Sequence, residues 1–160
     1  MERPIRPDWE ALVTENEHKL YRAALAILGH QQEAEDAVQD AFLRYLEKAP
    51  ARLESPGAWL MRVLVNGCKS RLRLKWRQVV ELPEELAAQA VQEDEREELE
   101  ELWQLPAEDR TVIHLFYYQG YSTDEIARLM GARPGTVRSR LSRARQKLKT
   151  LLAEENEGGN

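Results

Sequence analysis

The sequence predicts an all-α protein of two small helical domains joined by an acidic linker, with a helix-turn-helix in the C-terminal domain. Apolar residues recur at helical spacing along most of the 160-residue chain. The alternation and β-branched clusters typical of strands are nearly absent. Between the helical parts, residues 81 to 101 carry ten acidic residues and a single basic one, a pattern typical of a linker.

The first domain is expected to span residues 1 to 77 and to contain three helices. Asp8 is placed to cap the first helix, which ends at Gly29. The second helix is predicted from about Gln32 to Leu46. Residues 47 to 57 contain two prolines and a glycine and are expected to form a loop.

The third helix is predicted to begin near Pro56 and to end in a basic run at 75 to 77. A polar stripe on it has spacings of 4, 4 and 3 and consists of Arg62, Asn66, Ser70 and Arg73. These side chains can hydrogen-bond the edges of unpaired bases, and Trp76 is a candidate for stacking on nucleic acid. An ordinary solvent-facing stripe is the alternative.

A compact acidic patch lies at the start of the second helix, where Glu35, Asp36, Gln39 and Asp40 span little more than one turn. Asp36, Gln39 and Asp40 share a face and can accept hydrogen bonds from the arginines of a partner helix. The helix dipole alone explains acids in a first turn, including Glu35, but it explains Gln39 and Asp40 less well.

The linker is predicted at residues 78 to 98, the second domain at 99 to 153 and a disordered tail at 154 to 160. A helix is expected to start at Leu105 and Pro106 and to close at Gly120. Its inward residues are expected to be Val112, Ile113, Phe116 and Tyr117.

The helix-turn-helix is the most informative stretch. Ser122 and Glu125 form a capping box for its first helix, Gly131 ends that helix, and Pro134 suits the first turn of the second. The second helix has one apolar stripe, made of Val137, Leu141, Ala144 and Leu148. Residues 133 to 149 carry seven positive charges and no acid, which suits a phosphate-lined groove. A merely solvated face usually mixes charges of both signs.

Several function classes find no support in the sequence. The single cysteine, Cys68, excludes an internal disulfide, and three scattered histidines lack metal-ligand spacing. No catalytic constellation or phosphate-binding loop stands out, so neither an enzyme nor a cofactor is expected. No apolar run approaches the roughly 20 residues that span a bilayer, and a cytoplasmic protein is expected. The net charge of −5 is compatible with DNA binding because the charges are segregated along the chain.

Three stretches resemble bacterial RNA polymerase sigma factors of the extracytoplasmic-function (ECF) type. EAEDAVQDAFLRYL (33–46) is similar to the polymerase-clamp helix, and PGAWLMRVLVNGCKSRLR (56–73) to the helix for the minus-ten promoter element. Residues 105–148, with LP-x-x-x-R, EIA and GTVRSRLSRAR in register, are similar to the minus-thirty-five reader. The chain departs from the family at Ser70, where an aspartate is usual, and at Ser142, where a larger side chain is often found.

The resemblance implies a promoter-recognition subunit that is a monomer when free and binds core RNA polymerase, promoter DNA and an anti-sigma protein. The acidic patch is then polymerase-binding, and the stripe of the third helix with Trp76 is DNA-binding. In the second domain the implied DNA-binding residues are Arg133, Thr136, Arg138, Ser139, Arg140, Ser142, Arg143, Arg145 and Lys147. The competing classes are a stand-alone helix-turn-helix repressor or activator, which would normally dimerise, and an adaptor that selects no promoter.

Overall fold

A computed structural model describes residues 8–78 and 100–158, and within them the regular structure is helical. Three helices form the first half: α1 (Trp9–Leu28), α2 (Gln31–Lys48) and α3 (Pro56–Gln78). The second half has a 3₁₀ helix (Glu100–Gln104), α4 (Ala107–Ile113), a π-helical turn (His114–Tyr118), α5 (Thr123–Met130) and α6 (Pro134–Gly158). The all-α prediction is confirmed.

The helix boundaries of the first half follow from local chain chemistry. Gly29 ends α1 with φ +69, and its N–H donates to the Leu25 carbonyl. Asp8 occupies the N-cap position of α1, but its side chain makes no capping hydrogen bond. At the start of α2, His30 takes that role because its Nδ1 accepts from the Glu33 N–H at 3.2 Å. Histidine is not a common cap, so sequence patterns do not reveal this one.

The first half closes its core with the apolar faces of three mutually packed helices. Leu20 and Ile27 of α1 are buried in the same cluster as Leu60 and Leu64 of α3, and the two helices pack on each other. Tyr45 of α2 is buried among aromatic rings, stacked on Trp9 and edge-on to Trp59. Trp59 is partly buried and packs against the core.

Residues of both halves form one continuous hydrophobic cluster. Within it α1 packs on α4, and α3 packs on α5. Leu102 and Leu105 are buried in the same cluster as Leu20 and Leu64. Within the described residues, the buried apolar side chains of the two halves therefore form one core.

Two differences from the sequence predictions lie in the second half. Tyr117 is 55% exposed, because the π-helical turn inserts one residue and rotates later positions around the helix axis. The i to i+5 hydrogen bond from Gln119 N–H to His114 O marks that turn. The predicted disordered tail is helical as far as Gly158, since the Leu, Ala and Glu residues after Thr150 are good helix formers.

Candidate nucleic-acid interface

Helix α6 is amphipathic, with a narrow buried stripe and a broad exposed face. Val137, Leu141 and Ala144 are buried against the rest of the second half, and Leu148 is half-buried. Eight of the nine predicted DNA-binding residues of the second domain are exposed, namely Arg133 just before the helix and Thr136, Arg138, Ser139, Ser142, Arg143, Arg145 and Lys147 on it. The apolar stripe therefore fixes which side of α6 is available to a ligand.

Helix α5 packs against α6, and both ends of α5 are capped. The predicted capping box is present, with the Glu125 N–H donating to Ser122 Oγ at 3.1 Å and the Ser122 N–H donating to Glu125 Oε1 at 3.0 Å. Hydrogen bonds to the Glu125 carboxylate, first from the Ser122 backbone N–H and then from the Ser122 side chain, lower the pKa of Glu125. Gly131 ends α5 with φ +62, a left-handed conformation that favours glycine, and α6 begins three residues later.

Two arginines of the predicted DNA-binding set are engaged inside the second half. Arg140 forms an ion pair with Glu108 of α4 at 3.1 Å. Arg145 donates to Tyr117 Oη and lies over the Phe116 and Tyr117 rings, each centroid 5.4 Å away. Their partners lie about 30 residues earlier in the chain, so helical spacing could not reveal these contacts. These two contacts hold α6 against α4 and against the π-helical turn.

The predicted polar stripe of α3 is on the surface. Arg62, Asn66, Ser70 and Arg73 are all exposed. Ser70 Oγ donates to the Asn66 carbonyl at 3.1 Å, one turn back, and Arg73 Nη2 reaches Ser70 Oγ at 3.5 Å. Ser70 is thus held locally, whereas Asn66 stands on a ridge between two grooves. The Trp76 side chain lies outside the described residues, as do linker residues 79 to 98.

One of those grooves, about 360 Å³, runs between α2 and α3 and brings the two predicted surfaces together. Asp40 of α2 accepts from Arg71 of α3, so the carboxylate already has a cationic partner. Arg44 lines the same groove beside Asn66. Neither Arg44 nor Arg71 was predicted from the sequence to be a site residue.

The remaining acidic-patch residues face outward. Glu35 and Gln39 are exposed and line a groove of about 540 Å³ between α1 and α2. Asp36 is half-buried and accepts from Gln32 Nε2 at 3.3 Å, a bond within the same helix. The structure therefore splits the predicted patch, with Glu35, Asp36 and Gln39 available to a partner and Asp40 paired with α3.

Other chemistry is limited in the part of the chain that is described. Cys68 is buried, and burial raises the pKa of its thiol to about 12, which leaves it unreactive. No group of three His, Cys, Asp or Glu residues in the described ranges is arranged to hold a metal ion. Among the described helices, none is long and apolar enough to cross a bilayer.

Comparison with protein families matches both halves. Residues 12–78 match the family model Sigma-70 region 2, and residues 96–148 match Sigma-70, region 4. The ECF RNA polymerase sigma factor SigM of Mycobacterium tuberculosis is 33% identical over 158 residues, covering 95% of this chain and 81% of SigM. The chain belongs to the ECF sigma factors.

Other relatives give the same assignment. SigL of Mycobacterium tuberculosis, another ECF RNA polymerase sigma factor, is 34% identical over 161 residues, covering 90% of this chain and 88% of SigL. SigE of Mycolicibacterium smegmatis is 31% identical over 166 residues, and this chain spans 94% of its own length but 63% of SigE.

Solved structures show the same fold. The sigma factor RpoE in complex with the anti-sigma factor NepR from Bartonella quintana aligns with a TM-score of 0.73 and 26% identity, covering 91% of this chain and 97% of RpoE. CnrH in complex with the cytosolic domain of CnrY aligns with a TM-score of 0.68 over 95% of this chain and 92% of CnrH. At 24% identity, CnrH supports the fold alone.

Proposed function

We propose that this ECF sigma factor binds core RNA polymerase through α2 and directs it to promoters through two DNA-reading helices, α3 and α6. The observation that carries the proposal is the one-sided chemistry of α6. Its apolar stripe is buried in the second half, and its exposed side is cationic and hydroxyl-bearing without an acid between residues 133 and 149. An α-helix with such a face fits the major groove.

In this proposal α3 reads the minus-ten element after strand separation. Asn66 has the best position, because it is exposed on a ridge that borders both grooves. Arg62 and Arg73 flank it on the same stripe and supply charge for phosphates. Arg44, across the groove, adds a further cation that the sequence had not singled out.

Helix α2 supplies the polymerase contact. Glu35 and Gln39 present an exposed acceptor surface, and Asp36 adds a half-buried carboxylate beside it. Carboxylates of this kind bind arginines of a partner through short charge-assisted hydrogen bonds. The chemistry of transcription then belongs to the polymerase, and the sigma factor acts with it in the cytoplasm.

An anti-sigma protein is a further proposed partner. The structure of RpoE contains the anti-sigma factor NepR, and the structure of CnrH contains the cytosolic domain of CnrY. Their folds cover nearly all of this chain. We expect the free sigma factor to be a monomer.

Copurification with core polymerase tests the polymerase contact. The double variant Asp36→Arg with Gln39→Ala should lose core binding because it reverses the charge of the α2 face. Its melting temperature should stay close to that of the wild type, because Gln39 is exposed and the half-buried Asp36 carboxylate hydrogen-bonds to Gln32 of its own helix and not to the core.

Glu15→Arg is the matched control, because Glu15 is an exposed acid on α1. The control should keep core binding. If the double variant binds core as well as wild type, α2 is not the polymerase surface. If wild type itself does not bind core and instead binds an operator as a dimer, the repressor alternative is correct.

A further inference from the structure

The π-helical turn before α5 places an aromatic side chain on the surface beside α6. Helical periodicity predicts that Tyr117 is buried, yet it is 55% exposed in the structure. The turn that rotates it outward is marked by the hydrogen bond from the Gln119 N–H to the His114 carbonyl. Turns of this kind are rare and occur frequently at functional sites. Tyr117 is therefore a candidate binding residue that the sequence did not indicate.

Tyr117 and its neighbour Phe116 lie under Arg145 of α6, and we call their two rings the aromatic shelf. The rings meet edge to face, with centroids 5.0 Å apart and planes at 80°. Phe116 is half-buried and packs against the hydrophobic core, which anchors the shelf. The Arg145 guanidinium lies 5.4 Å from each ring centroid. Cation–π attraction therefore holds this guanidinium over the shelf.

The hydrogen bond between Arg145 and Tyr117 leaves further donors on both side chains. Arg145 uses its Nε hydrogen to donate to Tyr117 Oη. The remaining guanidinium hydrogens are those on Nη1 and Nη2. Because Tyr117 Oη is the acceptor in this bond, its own hydrogen can still be donated. Among the described residues, no carboxylate forms an ion pair with Arg145. The pair therefore presents several donors and one positive charge to solvent.

The charge around the shelf favours an anionic ligand. Residues 133 to 149 carry seven positive charges and no acid. A phosphate group supplies several acceptor oxygens, and charge-assisted hydrogen bonds from arginine to phosphate are among the strong ones in proteins. Arginine and tyrosine side chains both bind the phosphates of DNA. The chemistry of the pair therefore fits a phosphate of the nucleic-acid backbone.

The position of Arg145 along α6 agrees with a backbone contact. Arg138 and Arg145 are both exposed. They are separated by about 10 Å along the helix axis and by only about 20° around it, so they lie on the same flank. The major groove is about 12 Å wide. When Arg138 reaches base edges, Arg145 and the shelf therefore lie at the rim of the groove, where the phosphates are.

We propose that Tyr117 and Arg145 form a clamp for one backbone phosphate at the rim of the upstream promoter element. Tyr117 Oη and the Nη groups of Arg145 donate to the same phosphate. The inference rests on the proposed function and extends it by a residue outside the two reading helices. The clamp fixes the position of α6 on the duplex and reads no sequence, as is general for phosphate contacts. Because the shelf already orders the guanidinium, Arg145 loses less freedom on binding.

Tyr117→Phe tests the clamp, because it removes the hydroxyl and keeps the ring under Arg145. The assay is a titration of the holoenzyme on promoter duplexes in which one upstream phosphate at a time is replaced by a neutral methylphosphonate. Wild type should lose about tenfold in affinity at the clamped phosphate. Tyr117→Phe should bind every unmodified duplex about fivefold more weakly and should lose only about twofold at that phosphate, because the two changes remove the same contact.

Two matched variants separate the clamp from general effects. Tyr118→Phe removes the neighbouring hydroxyl on the same turn, where the ring stacks on His114 with centroids 5.5 Å apart. This control should keep the affinity and the methylphosphonate pattern of the wild type. Arg145→Gln should lower the salt slope by about 1, whereas Tyr117→Phe changes no charge and should leave the slope as it is. Far-UV circular dichroism and melting confirm that each variant is folded.

Three results would overturn the clamp. The first is an affinity of Tyr117→Phe equal to that of the wild type. The second is weaker binding with an unchanged methylphosphonate pattern, because the hydroxyl then acts only on the fold. The third is reduced copurification of Tyr117→Phe with core, which would make the shelf a protein contact.

Core-dependent transcription by wild type is scored separately. If that transcription is normal while any of the three results is found, the clamp alone is wrong. If that transcription is absent, the proposed function fails and the clamp fails with it.

Discussion

Arg138 and Lys147 are both exposed on α6, but they lie about two and a half turns apart and so on opposite flanks of its buried stripe, and they should make different DNA contacts. Both are exposed in the structure, and α6 starts at Pro134, so Arg138 lies little more than one turn from the start. At 1.5 Å per residue, Lys147 lies about 13 Å farther along the axis. The major groove is about 12 Å wide, so a helix that places Arg138 on base edges places Lys147 over the phosphate backbone.

The expected magnitudes follow from those positions. Arg138→Ala should remove about 1–3 kcal/mol of discrimination at one or two base pairs, a factor of roughly 5 to 150 in relative affinity. Lys147→Ala should weaken all sequences alike and reduce the salt slope by about 1. Neither change should affect folding, because both side chains are exposed.

The assay is a gel-shift titration of the holoenzyme on duplexes that carry every single-base substitution of the upstream element, repeated over a salt series. Arg138→Ala should flatten the preference at its contacted positions only. An even loss of affinity across all duplexes for Arg138→Ala, with the sequence preference intact, would show that this residue is a phosphate contact and that the orientation assigned to α6 is wrong.

Three further predictions concern other parts of the chain. Asn66→Ala should leave closed-complex formation intact but impair strand opening, as measured by permanganate reactivity of promoter thymines. If the variant opens the promoter as fully as wild type, Asn66 does not bind the separated strand. Glu125→Gln should lower the melting temperature at pH 7. Because the folded pKa of Glu125 is depressed, the difference from wild type should shrink as pH falls below the ordinary value of 4.5. Native Cys68 should react with a thiol reagent near pH 8 roughly a thousandfold more slowly than in the unfolded chain, because its pKa is raised to about 12; rapid reaction would show that the site opens.

Local chemistry made much of the fold predictable from sequence. The capping box of Ser122 and Glu125, the helix end at Gly131 and the apolar stripe beginning at Val137 are all found in the structure as predicted. Each depends on residues within a few positions of one another. Side-chain hydrogen bonding, glycine backbone freedom and helical periodicity act over that range.

The contacts between distant residues could not be predicted in this way. Arg110 was part of the LP-x-x-x-R motif in the sequence. Nothing in its spacing predicts that its guanidinium donates hydrogen bonds to the Ala26 and Ile27 carbonyls of α1, 84 and 83 residues earlier. Asp40 was predicted to bind a partner helix, whereas in the structure it forms an ion pair with Arg71. Tyr117 was predicted to be buried, because a π-helical turn cannot be recognised from the periodicity of a single sequence. These features depend on how the helices pack.

Specific promoter binding with and without core polymerase tests the central claim most directly. The measurement is a gel-shift titration of the wild-type chain on a promoter selected from random DNA by its own holoenzyme, followed by run-off transcription on the same DNA. The free chain should bind weakly and with little specificity, and added core should give specific binding and a defined transcript. Tight, specific binding by the chain alone, unaffected by core and without a transcript, would contradict the account.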